Sequence, residues 1–203
     1  MIGIIDMRTN NINCFTKILK KNNYRYKIIK CFDDYDDKID KIIIPGIGSY
    51  NRTMSYLVET GLDKVIKMHN DSGKKILAIC IGMQILTEYG DEGGFISGLG
   101  IFKGAYVKKM DTDNILPHIG WNNIELRDVG DILVDGIDRS GDFYFVHSYC
   151  VITDDENIIY GKSYYGNCEF ISVLRSDNIM ATQFHPEKSG ANGIKLISNF
   201  LKW

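Results

Sequence analysis

The chain lacks most features of proteins that work across membranes, outside cells or on polyanions. No stretch of its 203 residues approaches the roughly 18 apolar residues of a membrane-spanning helix. No two of its cysteines stand at CxxC spacing, and the five of them, Cys14, Cys31, Cys80, Cys150 and Cys168, are odd in number. Such usage fits neither a disulfide framework nor a zinc site and points to a reducing compartment. The opening Met1-Ile2-Gly3-Ile4-Ile5-Asp6 has no basic segment and too short an apolar run for a secretory leader, so cytoplasmic residence is expected. Charge is close to balanced, 24 Lys and Arg against 26 Asp and Glu for a formal net charge of −2, so no nucleic-acid partner is expected. There is no internal repeat and no low-complexity linker. No spacing implies a metal or an organic cofactor, and none is expected.

What is present is ordinary globular material, 44% hydrophobic and 25% charged. The length supports one well-buried core and is short for two, so one domain over residues 1–203 is expected. The first half alternates apolar runs with helical patterns. Strands are expected at 1–6, 25–30, 40–44 and 75–79, and helices at 10–22, between 51 and 71, and at 81–89. This alternation argues an α/β fold with a central, mostly parallel sheet and helices on both faces. Ile42-Ile43-Ile44 and Ile76-Leu77-Ala78-Ile79 are continuous apolar runs, as strands buried on both faces should be. From about residue 95 the pattern changes to strand-like runs at 101–109, 120–126, 143–150, 157–164, 168–175 and 179–185. Short polar turns join them, which predicts antiparallel additions in the C-terminal half. A closing helix is expected from Gly193 to Trp203.

Two segments carry chemistry. Lys75-Ile76-Leu77-Ala78-Ile79-Cys80-Ile81-Gly82-Met83-Gln84 reads as a buried strand, a sharp turn at Cys80 and a helix start. That arrangement lifts a nucleophile to the top of a sheet and aims the next helix's first amides at it. About a hundred residues on stands Phe184-His185-Pro186-Glu187. A residue before proline is pushed into extended geometry, and side chains two apart on an extended chain share a face. Glu187 is thereby expected to hold one imidazole nitrogen of His185 while the other faces the sulfur. A lone free cysteine is most often a small buried hydrophobe. The elbow and the His-Pro-Glu together point instead to a cysteine nucleophile for acyl transfer, its thiol acidified by an imidazolium and a helix N-terminus.

Cys80-Ile81-Gly82-Met83-Gln84 with His185-Pro186-Glu187 resembles the class I, triad-type glutamine amidotransferases. More narrowly, the chain is similar to the glutaminase subunits of imidazole glycerol phosphate synthases. Pro45-Gly46-Ile47-Gly48, Leu116-Pro117-His118-Ile119-Gly120-Trp121-Asn122, Phe143-Tyr144-Phe145-Val146-His147-Ser148-Tyr149 and Thr182-Gln183-Phe184-His185-Pro186-Glu187-Lys188-Ser189 match that group in order. The resemblance implies hydrolysis of L-glutamine to glutamate and ammonia through a Cys80 thioester. It assigns the oxyanion-stabilising amides to Ile81 and Gly48, with a peptide flip near Ile47 that can switch the second one off. It assigns glutamine contacts to Gly46, Gln84, Glu92, Ser148 and Tyr149. Trp121, Asn122 and Lys188 fall where the family meets a synthase (cyclase) subunit in a heterodimer, with Trp121 as an exposed hot spot. His147 lacks an acid two residues on, and it, His118 and His69 are read as structural.

The chain departs from the family in the loop after the first strand. The usual Asp-Tyr-Gly-x-Gly-Asn is here Asp6-Met7-Arg8-Thr9-Asn10-Asn11. Arginine takes left-handed geometry poorly, so another path for this loop is expected. Ala78 replaces a glycine two residues before the nucleophile, and Cys150 and Ser189-Gly190 are smaller departures. The leading expectation is ammonia supply to a histidine-pathway cyclase that forms imidazole glycerol phosphate and aminoimidazole carboxamide ribotide. The altered loop motivates an alternative, an ammonia-supplying subunit of a sugar amidotransferase for surface polysaccharides. A catalytically silent regulatory subunit and a cysteine peptidase are the remaining readings.

Overall fold

The computed structural model describes residues 1–8, 12–127 and 130–203. The first half alternates strand and helix: β1 (Ile2–Ile5), α1 (Ile12–Lys21), β2 (Tyr26–Ile29), β3 (Lys41–Ile44), α2 (Tyr50–Thr60), α3 (Leu62–Asp71), β4 (Lys75–Ile79) and the short α4 (Ile81–Gln84). The second half is mostly strand: β5 (Tyr89–Gly90), β6 (Ile96–Ser97), β7 (Tyr106–Lys109), β8 (His118–Asn122), β9 (Glu125–Leu126), β10 (Phe143–His147), β11 (Tyr149–Ile152), β12 (Ile159–Tyr165), β13 (Cys168–Arg175) and β14 (Ile179–Thr182). Helix α5 (Gly190–Lys202) closes the chain. Among the described residues, no helix is long and apolar enough to cross a membrane.

The main sheet runs β2-β1-β3-β4-β14-β13-β12-β9. The first five strands are parallel and the last three join antiparallel. This is the expected α/β architecture with antiparallel additions from the C-terminal half. Strand periodicity divides the core. Ile42, Ile44, Ile76 and Ala78 point to one face with Leu57 of α2 and Val65 and Ile66 of α3. Ile43, Leu77 and Ile79 point to the other with Phe15 and Leu19 of α1 and Leu196, Ile197 and Phe200 of α5. Both faces are dry, so both faces of β3 and β4 must be apolar, and each fully buried large side chain contributes about 1.5–3 kcal/mol.

Strand β14 positions the site. It pairs in parallel with β4, Ala181 opposite Ala78 and Thr182 opposite Ile79. Although a hundred residues separate them in sequence, the chain ends that lead to Cys80 and His185 therefore leave the sheet side by side.

Several expected boundaries shift, each because tertiary pairing takes over the backbone. Helix α4 stops at Gln84 rather than near 89, because the carbonyls of Ile85, Leu86 and Thr87 accept hydrogen bonds from Leu99, Ile101 and Gly100. The run 101–109 is strand only from Tyr106. The run 120–126 divides into β8, which pairs with β10, and β9, which joins the main sheet. The run 143–150 breaks at Ser148, where the chain passes from β10 to β11 and so from one small sheet to another. The run 179–185 ends at Thr182, and the closing helix begins at Gly190, three residues before Gly193. Arg8 does take the left-handed conformation, φ 58°, with its amide on Asp6 Oδ1 at 2.8 Å and its guanidinium over the Tyr56 ring. The rest of that loop, Thr9, Asn10 and Asn11, lies outside the described residues.

Candidate active site

Cys80 sits at the end of buried β4 with φ 54° and ψ −112°. A non-glycine residue held there stores about 1–3 kcal/mol, which persists only where the surroundings fix the backbone. Here they do. The Cys80 N–H donates to the Thr182 carbonyl at 2.7 Å, and its own carbonyl accepts from the Met83 and Gln84 amides at 3.0 and 3.1 Å. A Cβ on Gly82 would come 2.2 Å from the Ile44 oxygen, and one on Gly46 would come 2.3 Å from Ile81 Cγ2. Only glycine at these two positions lets the β3 end and its loop close on the elbow. Ile81 begins α4, where the first amides have no intrahelical acceptor. Gly48 lies on the exposed part of the same loop as Gly46.

His185 follows β14 in extended geometry, φ −101° and ψ 94°. Its Nδ1 lies 2.9 Å from Glu187 Oε1, with both side chains fully buried. The pairing matches the expectation, but the reason for it does not. Glu187 is inside a 3-10 turn, Pro186–Lys188, so strand alternation does not align it with His185. The turn does so by bringing the chain back over the imidazole. Nε2 of His185 is buried, and Cys80 is among the groups that act on the ring. Burial alone pushes the imidazole down. The Cys80 sulfur and the Glu187 carboxylate overcome this and raise it to about 9. The charged form of the ring is thereby favoured between sulfur and carboxylate.

Cys80 is 6% exposed and meets two further polar groups. Its Sγ faces the Val146 carbonyl at 3.9 Å, and Gln183 Nε2 donates to it at 3.6 Å. Gln84 is buried, and its Nε2 donates to the Tyr149 carbonyl at 2.9 Å and to Gln183 Oε1 at 3.0 Å. Its amide hydrogens are thus already committed within the protein. The one sequence signal for Gln183 is its place two residues before His185 on an extended run, the spacing that shares a face.

The other expected contacts gather nearby. Glu92 accepts from the Tyr50 amide at the start of α2, 2.7 Å. Burial and the Glu92 and Asp91 carboxylates raise the Tyr149 phenol, which places Tyr149 in their field. Ser148 marks the corner between β10 and β11, and its carbonyl accepts from Met110 at 2.9 Å. Trp121 is 56% exposed and meets the Tyr144 ring edge-on at 5.9 Å, with Lys188 Nζ 5.4 Å from the same ring. Asn122 donates to the Tyr164 carbonyl at 2.7 Å. Tyr144 is the residue that ties Trp121 and Lys188 together, and only the fold reveals it. No described group of His, Cys, Asp and Glu could hold a metal ion.

The other three histidines are buried and neutral. Burial lowers His69 and His118 to about 4 and, with the nearby His118 and His185 rings, lowers His147 to about 3. His147 donates from Nδ1 to the Tyr149 carbonyl and meets His118 Nδ1 through Nε2 at 3.2 Å. All three rings are packed and hydrogen-bonded inside the protein.

A thiol on a strained elbow at the carboxyl end of a parallel sheet, beside an imidazole paired with a carboxylate, is an arrangement that can carry acyl transfer through sulfur. The comparisons narrow that class: a family model described as "Glutamine amidotransferase class-I" matches residues 4–203, and the chain belongs to that family. It is 42% identical over 205 residues to imidazole glycerol phosphate synthase subunit HisH 1 of Campylobacter jejuni, covering 100% of both chains. It is 42% identical over 210 residues to the HisH subunit of Methanocaldococcus jannaschii, covering 100% of this chain and 99% of the other. Among solved structures, the fold is shared with PurLQS of Thermotoga maritima, with a TM-score of 0.76 at 17% identity over 99% of this chain and 97% of that one.

Proposed function

We propose that the chain is the glutaminase subunit of an imidazole glycerol phosphate synthase, acting in the cytoplasm and delivering ammonia to a synthase (cyclase) partner. The observation that carries this is the Cys80 elbow facing the buried His185–Glu187 pair in a chain that full-length HisH relatives match at about 40% identity. Those relatives favour the histidine pathway over a sugar amidotransferase.

In this reading the Cys80 thiolate adds to the side-chain carbonyl carbon of L-glutamine. The oxygen takes the negative charge and is held by the amides of Ile81 and Gly48. Collapse breaks the C–N bond, and the leaving amine takes the His185 proton and departs as ammonia. His185, now neutral, takes a proton from water, whose oxygen adds to the thioester. A second collapse releases glutamate and restores the thiolate. Glu187 keeps the ring oriented throughout. Gly46, Glu92, Ser148 and Tyr149 hold the substrate's polar ends, with Gln84 behind them, and Trp121, Asn122 and Lys188 meet the partner.

The test is glutamate release from glutamine by the chain alone, then with the same organism's cyclase subunit and its nucleotide ligand. The expected result is slow release alone and strong stimulation with the partner. No stimulation, with Cys80 still labelled by a glutamine-like electrophile, would move the ammonia to a different acceptor. No labelling would leave a regulatory subunit.

A further inference from the structure

Behind the nucleophile runs a chain of hydrogen bonds whose direction is set at its far end. The backbone carbonyl of Tyr149 can only accept, so the part of Gln84 that meets it at 2.9 Å must be the amide NH2. The same NH2 reaches Gln183 Oε1 at 3.0 Å. That contact turns Gln183 so that its own NH2 faces Cys80 Sγ at 3.6 Å. Reversing Gln183 would set NH2 against NH2 and carbonyl against sulfur. Gln84, Gln183 and Cys80 are 4%, 0% and 6% exposed, so water does not compete for these groups.

We propose that Gln183 is a catalytic residue that donates a hydrogen bond to the Cys80 thiolate, and that Gln84, anchored on the Tyr149 carbonyl, holds it in the donating orientation. The inference rests on Cys80 being the nucleophile, as proposed above. A donor to the charged form of a group favours that form, and bonds to charged acceptors are the stronger ones. The Val146 carbonyl at 3.9 Å acts the other way, since it accepts from a thiol and gives nothing to a thiolate. Ionisable groups on the surrounding elements are His185, which Cys80 influences directly, Glu187 from the turn after β14, neutral His147 from β10 with His118 of β8 behind it, and Tyr149 from β11. Gln183 differs from them in that it cannot titrate. Its donor stays in place at every pH where the enzyme is folded.

The experiment measures iodoacetamide alkylation of Cys80 in the full chain as a function of pH, read at the Cys80 peptide by mass spectrometry. Wild type is compared with Gln183→Met and Gln84→Glu. Gln183→Met removes the donor. Gln84→Glu, read over the pH range in which its buried carboxyl is protonated, donates to the Tyr149 carbonyl and accepts from the Gln183 NH2, which turns the Gln183 carbonyl toward the sulfur. Both variants are expected to raise the alkylation midpoint by about one pH unit, roughly a tenfold loss of thiolate below it. A purely structural role would lower the melting temperature and leave the midpoint in place. An unchanged midpoint in Gln183→Met overturns the donor. A midpoint that rises in Gln183→Met but not in Gln84→Glu overturns the orientation by Gln84. If Gln183→Met does not fold, Gln84→Glu alone decides. The nucleophile itself is tested separately, because glutaminase activity retained by Cys80→Ala would sink that reading whatever the midpoints do.

Discussion

His185 Nδ1 lies 2.9 Å from Glu187 Oε1, and both side chains are completely shielded from solvent. The carboxylate is reached through the Pro186–Lys188 turn, which Ser189 fastens with a hydrogen bond from its Oγ to the His185 carbonyl. The imidazole is thus held from its own backbone as well as from Nδ1.

Glu187→Gln can keep an acceptor for Nδ1 while losing the charge, so it should cost less in kcat than loss of the imidazole. His185→Ala removes the proton carrier and should cost about 10²–10⁴-fold. Steady-state kinetics of glutamate release separate the two, and equal losses would contradict these roles.

The backbone strain at Cys80 has a stability signature. Cys80→Ala and Cys80→Gly should both be inactive, yet Cys80→Gly should be the more stable by about 1–2 kcal/mol, because glycine occupies positive φ without penalty. Calorimetry on the two variants measures this. Equal melting temperatures would remove the strain argument.

The imidazolium of His185 persists until about pH 9. Above that the proton needed by the leaving ammonia is lost, so kcat/KM for glutamine should fall as pH rises through about 9. The sulfur raises this value, so Cys80→Ala should bring the His185 titration down, which NMR of the imidazole protons can follow. A titration unmoved by Cys80→Ala would break the coupling between them.

His69, His118 and His147 are lowered to about 4, 4 and 3, below the ordinary value of 6.5. Their folded forms resist protons that the unfolded chain binds, so stability is present above pH 6.5 and is lost as pH falls toward 4. Denaturant unfolding over that window should show falling stability, and replacing His69 with Gln should flatten part of the slope. A flat profile in the wild-type protein would mean that these rings are protonated in the fold.

Trp121 is more than half exposed and rests on Tyr144 beside Lys188. Trp121→Ala should leave the melting temperature nearly unchanged and weaken binding to the synthase subunit by about 2 kcal/mol or more. A thermal melt checks the first and calorimetric titration with the synthase subunit the second, and unaltered affinity would remove Trp121 from the interface.

The sequence by itself determined the parallel half of the sheet and the nucleophile elbow, because these depend on local patterns. Ile42-Ile43-Ile44 and Ile76-Leu77-Ala78-Ile79 are apolar runs of the kind that strands buried on both faces need, and the glycines around Cys80 permit the sharp turn. The Cys80 elbow and the His185-Pro186-Glu187 segment were each legible because each is a short, chemically specific pattern, whereas their meeting across a hundred residues is the work of the β4–β14 pairing. The tertiary structure alone decided what depends on contacts between distant segments. It breaks the 143–150 run at Ser148, because its two halves find partners in different sheets. It brings Glu187 to His185 through a turn rather than along a strand. It also joins Gln84, Gln183 and Tyr149 into one hydrogen-bonded chain, since the direction of an amide is set by the acceptor it meets and no sequence pattern records that meeting.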